Sequence, residues 1–422
     1  MVQTESGELC EQVKAPIVTS EKTMTIPSDL RNSLENFPFR EMEGLHTPEL
    51  GGLEKSYLAD CIESGYVSSV GAYVDRFESE LAGFSGARNV VATSSGTTAL
   101  HLALLATGVQ PGDIVIVPAI TFVATANAVA HCGATVVALD VEAQSMGLDP
   151  TILSQFFELE TTRRADGTRV HTETGAVVRA VMAVHVLGHP CDVEAIAGVC
   201  KEFGVTLLED AAESMGSYVG NLHTGLFGSA GIFSFNGNKT ITTGGGGCVV
   251  TNDNELAQRV RHLGTTARIP DPFEFDHDVV GYNYRMPNIN AALGCAQMER
   301  LPDLLSGQKE LQRVYFEHFG DVESVDLVTQ PPGRRSNYWL QAIRLKQGGR
   351  NARDALLAYG AELGIPLRPL WKPIPFVKAY QGAEHGDVPV ARELYESVVC
   401  LPSSPSLLRS LSKSLRQTWS RR

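Results

Sequence analysis

Apolar and polar positions fall into three regimes along the chain. Residues 1–44 are polar and irregular, with breaks at "APIVTS" and "IPSD", and read as an arm or extension. From about residue 45 to 290, short apolar runs alternate with helical stretches. "NVVATSS" leads into "GTTALHLALLATG", and "IVIVPAI" into "FVATANAVAHCG". "VRAVMAVHV" leads into "DVEAIAGVCKEFG", and "VTLLEDA" follows. Val- and Ile-rich runs without strict alternation predict parallel strands buried on both faces. Their repetition with helices predicts an α/β domain with right-handed crossovers. After "GIFSF" and "GGCVVTND" the pattern changes. "NINAALGCAQMERLPDLLSGQKELQRVYFEHF" predicts a long helical segment leading to a smaller α+β domain over residues 291–422.

From Ile114 to Leu139 there is no Asp, Glu, Lys or Arg, a length that could span a bilayer. The segment also holds Pro118, Thr121, Asn127, His131 and Gly133, and it divides into strand "IVIVP", helix "ATANAVAHC" and strand "TVVAL". No membrane association is expected. The net charge of −13 disfavours nucleic acid, which would want a basic face, but leaves room for an anionic small molecule in a locally positive pocket. The eight cysteines form no C-x-x-C pair, and several lie in apolar runs. Buried free thiols in a reducing cytosol are expected, with no metal site. The start "MVQTESGELCEQVK" has neither the basic nor the apolar region of a signal peptide.

Chemistry is sought where such sheets bind ligands, at the carboxyl ends of strands. After "NVVATSS" come Gly96 and Thr97, opening a helix. They offer either an anion cradle of free amides and hydroxyls or a plain Ser/Thr cap. Phe122, after "IVIVP", is either a ring-stacking aromatic or a core residue. Asp210 ends "VTLLED", where a buried carboxylate needs a partner. Ser234 ends "GIFS", and Lys239 follows five residues later, before "TITTGGGG", a stretch bare enough to wrap a ligand. Asn238 precedes Lys239, so the Gly-Lys-Ser/Thr of a phosphate loop is absent. What remains for Lys239 is a surface lysine or a covalent catalyst. The set fits pyridoxal 5′-phosphate, which needs an anion cradle, an aromatic against its ring, a carboxylate for its ring nitrogen and a lysine for a Schiff base.

The motifs "SSGTTALH", "ITFVATANAV", "LLEDAAES", "FSFNGNKTITTGGGG" and "GYNYRMPNINAA" resemble those of the DegT/DnrJ/StrS nucleotide-sugar aminotransferases, from about Leu45 to Ser404. The resemblance implies a fold-type I pyridoxal-phosphate transferase. Its large domain, with a mainly parallel sheet, would cover 45–290. It implies Lys239 as the Schiff-base lysine, Asp210 on the pyridine nitrogen and Glu213 near the ring hydroxyl. Gly96, Thr97 and Ser234 would hold the phosphate, and Phe122 would cover the ring. Asn283 of "GYNYRM" resembles a residue that reaches the partner's phosphate in a homodimer with shared active sites. L-glutamate would be the amino donor. "SGYVSSVGAYVDRFE" and "NGNKTITTGGGG" look closest to the branch acting on UDP-linked 4-keto-6-deoxy-N-acetylhexosamines, in bacillosamine- and legionaminic-acid-type synthesis. Amination at C3 of a keto-sugar and a non-catalytic sugar-nucleotide-binding regulator are the alternatives. Trp371, Lys372 and the Gly65–Ser69 arm would decide the first of these. Two features depart from the family pattern. Pro375 stands where the family often has His, and the ending "LLRSLSKSLRQTWSRR" is unusually basic.

Overall fold

The computed structural model describes residues 26–39 and 44–411. Its centre is an eight-stranded sheet. In spatial order the strands are Asn89–Thr93, Gly247–Thr251, Ala230–Ser234, Thr206–Asp210, Val178–Val184, Ile114–Pro118, Thr135–Leu139 and Glu384–His385. Pairing is parallel from Ala230–Ser234 to the Glu384–His385 edge. It is antiparallel on both sides of Gly247–Thr251. The chain between Ser234 and Gly247 holds no helix, so the strand cannot return by a crossover and turns back beside its predecessor. The mainly parallel α/β sheet is as the apolar runs predict. The polar "EH" edge strand carries no apolar signal and was not foreseen.

The uncharged span resolves into strand Ile114–Pro118, helix Ala124–His131 and strand Thr135–Leu139, each where the pattern put it. Both strands are almost wholly buried, as a parallel sheet covered on two faces requires. Among the described residues no helix is long and apolar enough to cross a membrane.

The helix Asn288–Phe319 leads into a second, antiparallel sheet of Val325–Leu327, Gln341–Leu345, Val398–Leu401 and Arg368–Pro369. Helices Gly349–Glu362 and Pro389–Ser397 accompany it, giving the α+β composition expected. Leu311, Val314, Tyr315 and Phe319 of the long helix share a core with Leu30, Leu34, Phe37 and Phe39. The short helix Ser28–Glu35 therefore docks on the C-terminal part of the chain. Burying each such side chain contributes about 1.5–3 kcal/mol. Residues 1–25 and the basic ending from Ser412 lie outside the described residues. The seven described cysteines are all free and buried, and Cys10 falls among the undescribed residues.

Candidate active site

The parallel register brings several sequence-selected residues to one edge of the sheet. Val184 pairs with Asp210, and Ile232 pairs with Asp210 from the other side, so Ser234 lies just beyond the carboxylate. The helix Gly96–Ala106 starts at the same edge. Its first glycine is needed for closeness, because a Cβ on Gly96 would sit 2.8 Å from the Cβ of Ser234. A cavity of about 310 Å³ opens there. It is lined by Gly96, Thr97, Phe122, Asp210, Glu213, Ser234 and Lys239 together with Trp339 and Trp371.

The cap is formed, and its geometry leaves room for the cradle beside it. Ser95 caps the helix by accepting from the Thr98 amide at 3.1 Å, and the Thr98 hydroxyl accepts from the Ser95 amide at 3.0 Å. The cap uses the third amide of the helix. The amides of Gly96 and Thr97 make no hydrogen bond among the described residues. Two free amides at a helix N-terminus, with the Thr97 and Ser234 side chains beside them, suit a phosphate. Replacing Gly96 with Ala overpacks this corner, at a cost of about 1–3 kcal/mol. Gly96→Ala is expected to weaken cofactor binding about tenfold, read by titrating the apo-protein; wild-type affinity would contradict the cradle.

Asp210 is buried. It accepts from the Thr125 hydroxyl at 2.7 Å and from the Ala212 amide at 3.1 Å. Thr125 is held in turn by Thr121 at 2.7 Å. These donors fix the carboxylate and leave lone pairs for a further donor from the cavity. Its neighbour Glu209 points to the opposite face of the strand. There it accepts from the amides of Gly225, Phe227 and Gly228 and pairs with His185, so it pins a loop rather than lining the cavity.

The Lys239 Nζ lies 3.6 Å from Glu213 Oε1. Burial pulls the Lys239 ammonium below the usual lysine value, and Glu213 and then Asp210 pull it back up. Burial likewise raises the Glu213 carboxyl, and Lys239 opposes that rise. Each member of the pair is moved toward its neutral form. The other Glu213 oxygen accepts from the Leu187 amide at 2.8 Å. Leu187 has φ 55, a left-handed conformation that is strained for leucine, and it aims that amide at the site.

Phe122 is 53% exposed and meets Trp371 edge-on at 5.7 Å, so it forms a wall and not core. Lys372 is exposed and does not line the cavity, and Pro375 is buried in a short turn. That turn is tied down by the Ile374 amide, which donates to Ala119 O at 2.8 Å. The glycines after Lys239 serve packing more than flexibility. Gly245 and Gly246 line the cavity, and a Cβ on Gly247 would sit 2.6 Å from the Gly96 nitrogen.

Asn283 is not brought to Lys239. It is exposed in a separate open groove of about 810 Å³, with Ser69, Thr265, Arg268 and Arg285. The Gly65–Ser69 arm reaches the same groove. It is held by the Asn288 side chain, which donates to Tyr66 O at 2.7 Å, and by the Asn288 amide, which donates to Ser68 O at 2.6 Å. Two functional candidates escaped the sequence reading. Trp339 lies under Lys239, its ring centroid 3.8 Å from Nζ. Asn337 donates to the carbonyls of Glu213 and Met215, both at 2.9 Å. The cluster "SNYW" ahead of a strand was the available signal.

The lining residues fit pyridoxal phosphate: free amides for an anion, a fixed carboxylate for a ring nitrogen, an aromatic wall and a largely buried amine. The comparisons with known proteins agree. Residues 48–413 match the model of the DegT/DnrJ/EryC1/StrS aminotransferase family. A GDP-perosamine synthase of Vibrio cholerae is 36% identical over 86% of this chain and 94% of its own length. A UDP-N-acetyl-3-dehydro-alpha-D-glucosamine 3-aminotransferase of Acidithiobacillus ferrooxidans is 34% identical over 78% of this chain and 83% of its own. The crystal structure of the aminotransferase TlmJ from Streptoalloteichus hindustanus superposes with a TM-score of 0.78 at 29% identity, covering 89% of this chain and 96% of that one. The chain belongs to the DegT/DnrJ/EryC1/StrS aminotransferase family and is a pyridoxal-phosphate-dependent transaminase.

Proposed function

We propose that the enzyme moves the amino group of L-glutamate to a keto-sugar nucleotide, at C4 of a UDP-linked 4-keto-6-deoxy-N-acetylhexosamine. The observation that carries the transaminase part of this reading is the convergence of Lys239, Asp210, Glu213, Gly96, Thr97, Phe122 and Ser234 on one cavity. The UDP-linked 4-keto sugar rests on the likeness of "SGYVSSVGAYVDRFE" and "NGNKTITTGGGG" to that branch. Pyridoxal phosphate bound there supplies an electrophilic carbon for amines and a ring that withdraws electrons from the donor's Cα. The Gly96 and Thr97 amides and the Ser234 hydroxyl hold its phosphate. Asp210 holds a proton at the ring nitrogen, because a buried carboxylate favours the charged partner. Phe122 and Trp371 wall the ring side of the cavity and exclude water. The Lys239 amine removes the proton at the donor's Cα, and burial helps by weakening its hold on its own proton. The free, buried thiols of the described residues suit a cytoplasmic enzyme.

The names of two relatives favour neighbouring readings. That of the Vibrio relative points to GDP in place of UDP, and that of the Acidithiobacillus relative points to C3. The test is mass spectrometry of products from L-glutamate and a panel of UDP- and GDP-linked 4-keto and 3-keto sugars. The expected result is one aminated product, from a UDP-linked 4-keto sugar. A product from GDP sugars alone, or from 3-keto sugars alone, replaces that part of the proposal. No aminated sugar from any panel member overturns it.

We further propose a homodimer in which Asn283 serves the partner's phosphate site. The hairpin Arg268–Ile269 and Asp276–His277 precedes Asn283. Phe273, Phe275, Val279 and Val280 beside it are exposed, an apolar area of the kind that marks an interface. Chains carrying Lys239→Ala and Asn283→Ala, combined in one dimer, put both defects in one site and none in the other. Such mixed dimers are expected to regain up to half of wild-type activity, although each parent homodimer is impaired. No recovery in verified heterodimers would place Asn283 outside the partner's site.

A further inference from the structure

Trp339 is 1% exposed and is held at several points around the Lys239 amine. Its Nε1–H donates to the carbonyl of Asn238, the residue before the lysine, at 2.7 Å. Its backbone N–H donates to Asn337 Oδ1 at 2.9 Å, and Asn337 grips the Glu213 carbonyl from its other end. The next residue, Leu340, donates its amide to Leu187 O at 3.3 Å, and the Leu187 amide reaches Glu213. The segment from Ser336 to Leu340 thus ties the C-terminal part of the chain to the lysine loop and the Glu213 loop together. Tyr338 in it has φ 53 and Leu187 opposite has φ 55. Two non-glycine residues in the left-handed region persist only where their surroundings over-determine them. Two of the five such residues among the described ones therefore flank the place where the indole is set against the amine.

The amine needs such a surface. An ammonium whose side chain is only 12% exposed requires compensation, and Glu213 at 3.6 Å stands beyond good hydrogen-bond distance. The face of an indole attracts a cation, more strongly when water is excluded. Beside Glu213, the charged group that acts on Lys239 is Asp210, and Lys239 in turn acts on His46. His46 is half-buried and neutral near pH 7, with desolvation and then Lys239 holding its imidazolium down to about 4.

We propose that Trp339 is a positioning residue for Lys239. The indole face, with Glu213, is the seat of the ε-amino group whenever it is not bonded to the cofactor, and this seat sets how readily the amine gives up its proton. The inference rests on Lys239 being the proton-transferring amine of the proposed function, and its test does not use turnover.

Apo-protein is labelled with trace acetic anhydride from pH 7 to 11, and the peptide containing Lys239 is quantified by mass spectrometry. Only the neutral amine reacts, so the labelling midpoint reports its protonation. Trp339→Leu is expected to lower the midpoint by about one pH unit, because the ammonium loses the ring. Trp339→Phe keeps a ring face and loses the indole N–H, and it is expected to lie between Leu and wild type. An unchanged midpoint in Trp339→Leu, or identical midpoints in Phe and Leu, overturns the proposal. Should Trp339→Leu fail to fold, 5-fluorotryptophan throughout the chain weakens the ring's negative face without changing its shape. A midpoint that falls by a few tenths of a unit then supports the seat, and one that stays in place overturns it. Failure of the catalytic reading would show separately, as activity retained in Lys239→Ala.

Discussion

Lys239→Ala is expected to lose the visible absorption of the bound cofactor and at least about 10³-fold in kcat, at an upper part of the range for removing a positioned acid–base group. The amine has two duties in the proposed reaction, to attach the cofactor and to move the Cα proton, and among the described residues no second lysine lines the cavity. Removing it also leaves Glu213 buried without its cationic neighbour, so burial raises that carboxyl with less to oppose it. Lys239→Arg is expected to be as inactive. A guanidinium stays protonated and can neither attack the cofactor nor accept a proton. Spectra and steady-state rates of the two variants check this. A Lys239→Ala protein with near-normal turnover would remove the lysine from the chemistry.

Asp210→Asn is expected to keep the fold and lose about 10²–10³-fold in kcat. Asparagine has nearly the same shape and can still accept from Thr125, which donates to the aspartate at 2.7 Å. The charge that holds a proton at the ring nitrogen is gone. Its value is greatest when the donor's Cα carries negative charge, so kcat should fall further than cofactor affinity. Asp210→Ala adds the loss of the Thr125 and Ala212 contacts and should also lower thermal stability. Equal losses in affinity and kcat for Asp210→Asn would mean that the carboxylate only helps to hold the cofactor.

How much of this was legible depended on where each residue stands. Asp210, Ser234, Gly96 and Thr97 follow apolar strands directly in the chain, and a parallel sheet collects the carboxyl ends of its strands on one edge. Strand patterning alone was therefore enough to gather them. Trp339 and Asn337 come to Lys239 from the far side of the long helix, and only tertiary docking brings them there. No period in the sequence reports such an approach. The left-handed Leu187 was equally hidden, because leucine gives no local sign of a positive φ. Glu209 and Asp210 look alike in "LLEDAAES". Strand alternation sends one to a structural loop and the other to the cavity. The bare run "TITTGGGG" reads as flexibility, yet Gly96, Ser95 and Met286 pack against its glycines. Asn283 lies in a groove apart from the Lys239 cavity, a placement that strand patterning does not report.

The central claim is that Lys239 carries the cofactor. Holoenzyme is reduced with borohydride, digested and mapped by mass spectrometry, so that any lysine bonded to the cofactor keeps a permanent mass label. The account predicts the label on the peptide spanning "FSFNGNKTITTGGGG", at Lys239 alone, with loss of absorption in step with labelling. A label on any other lysine, or full bleaching with Lys239 unmodified, would contradict it.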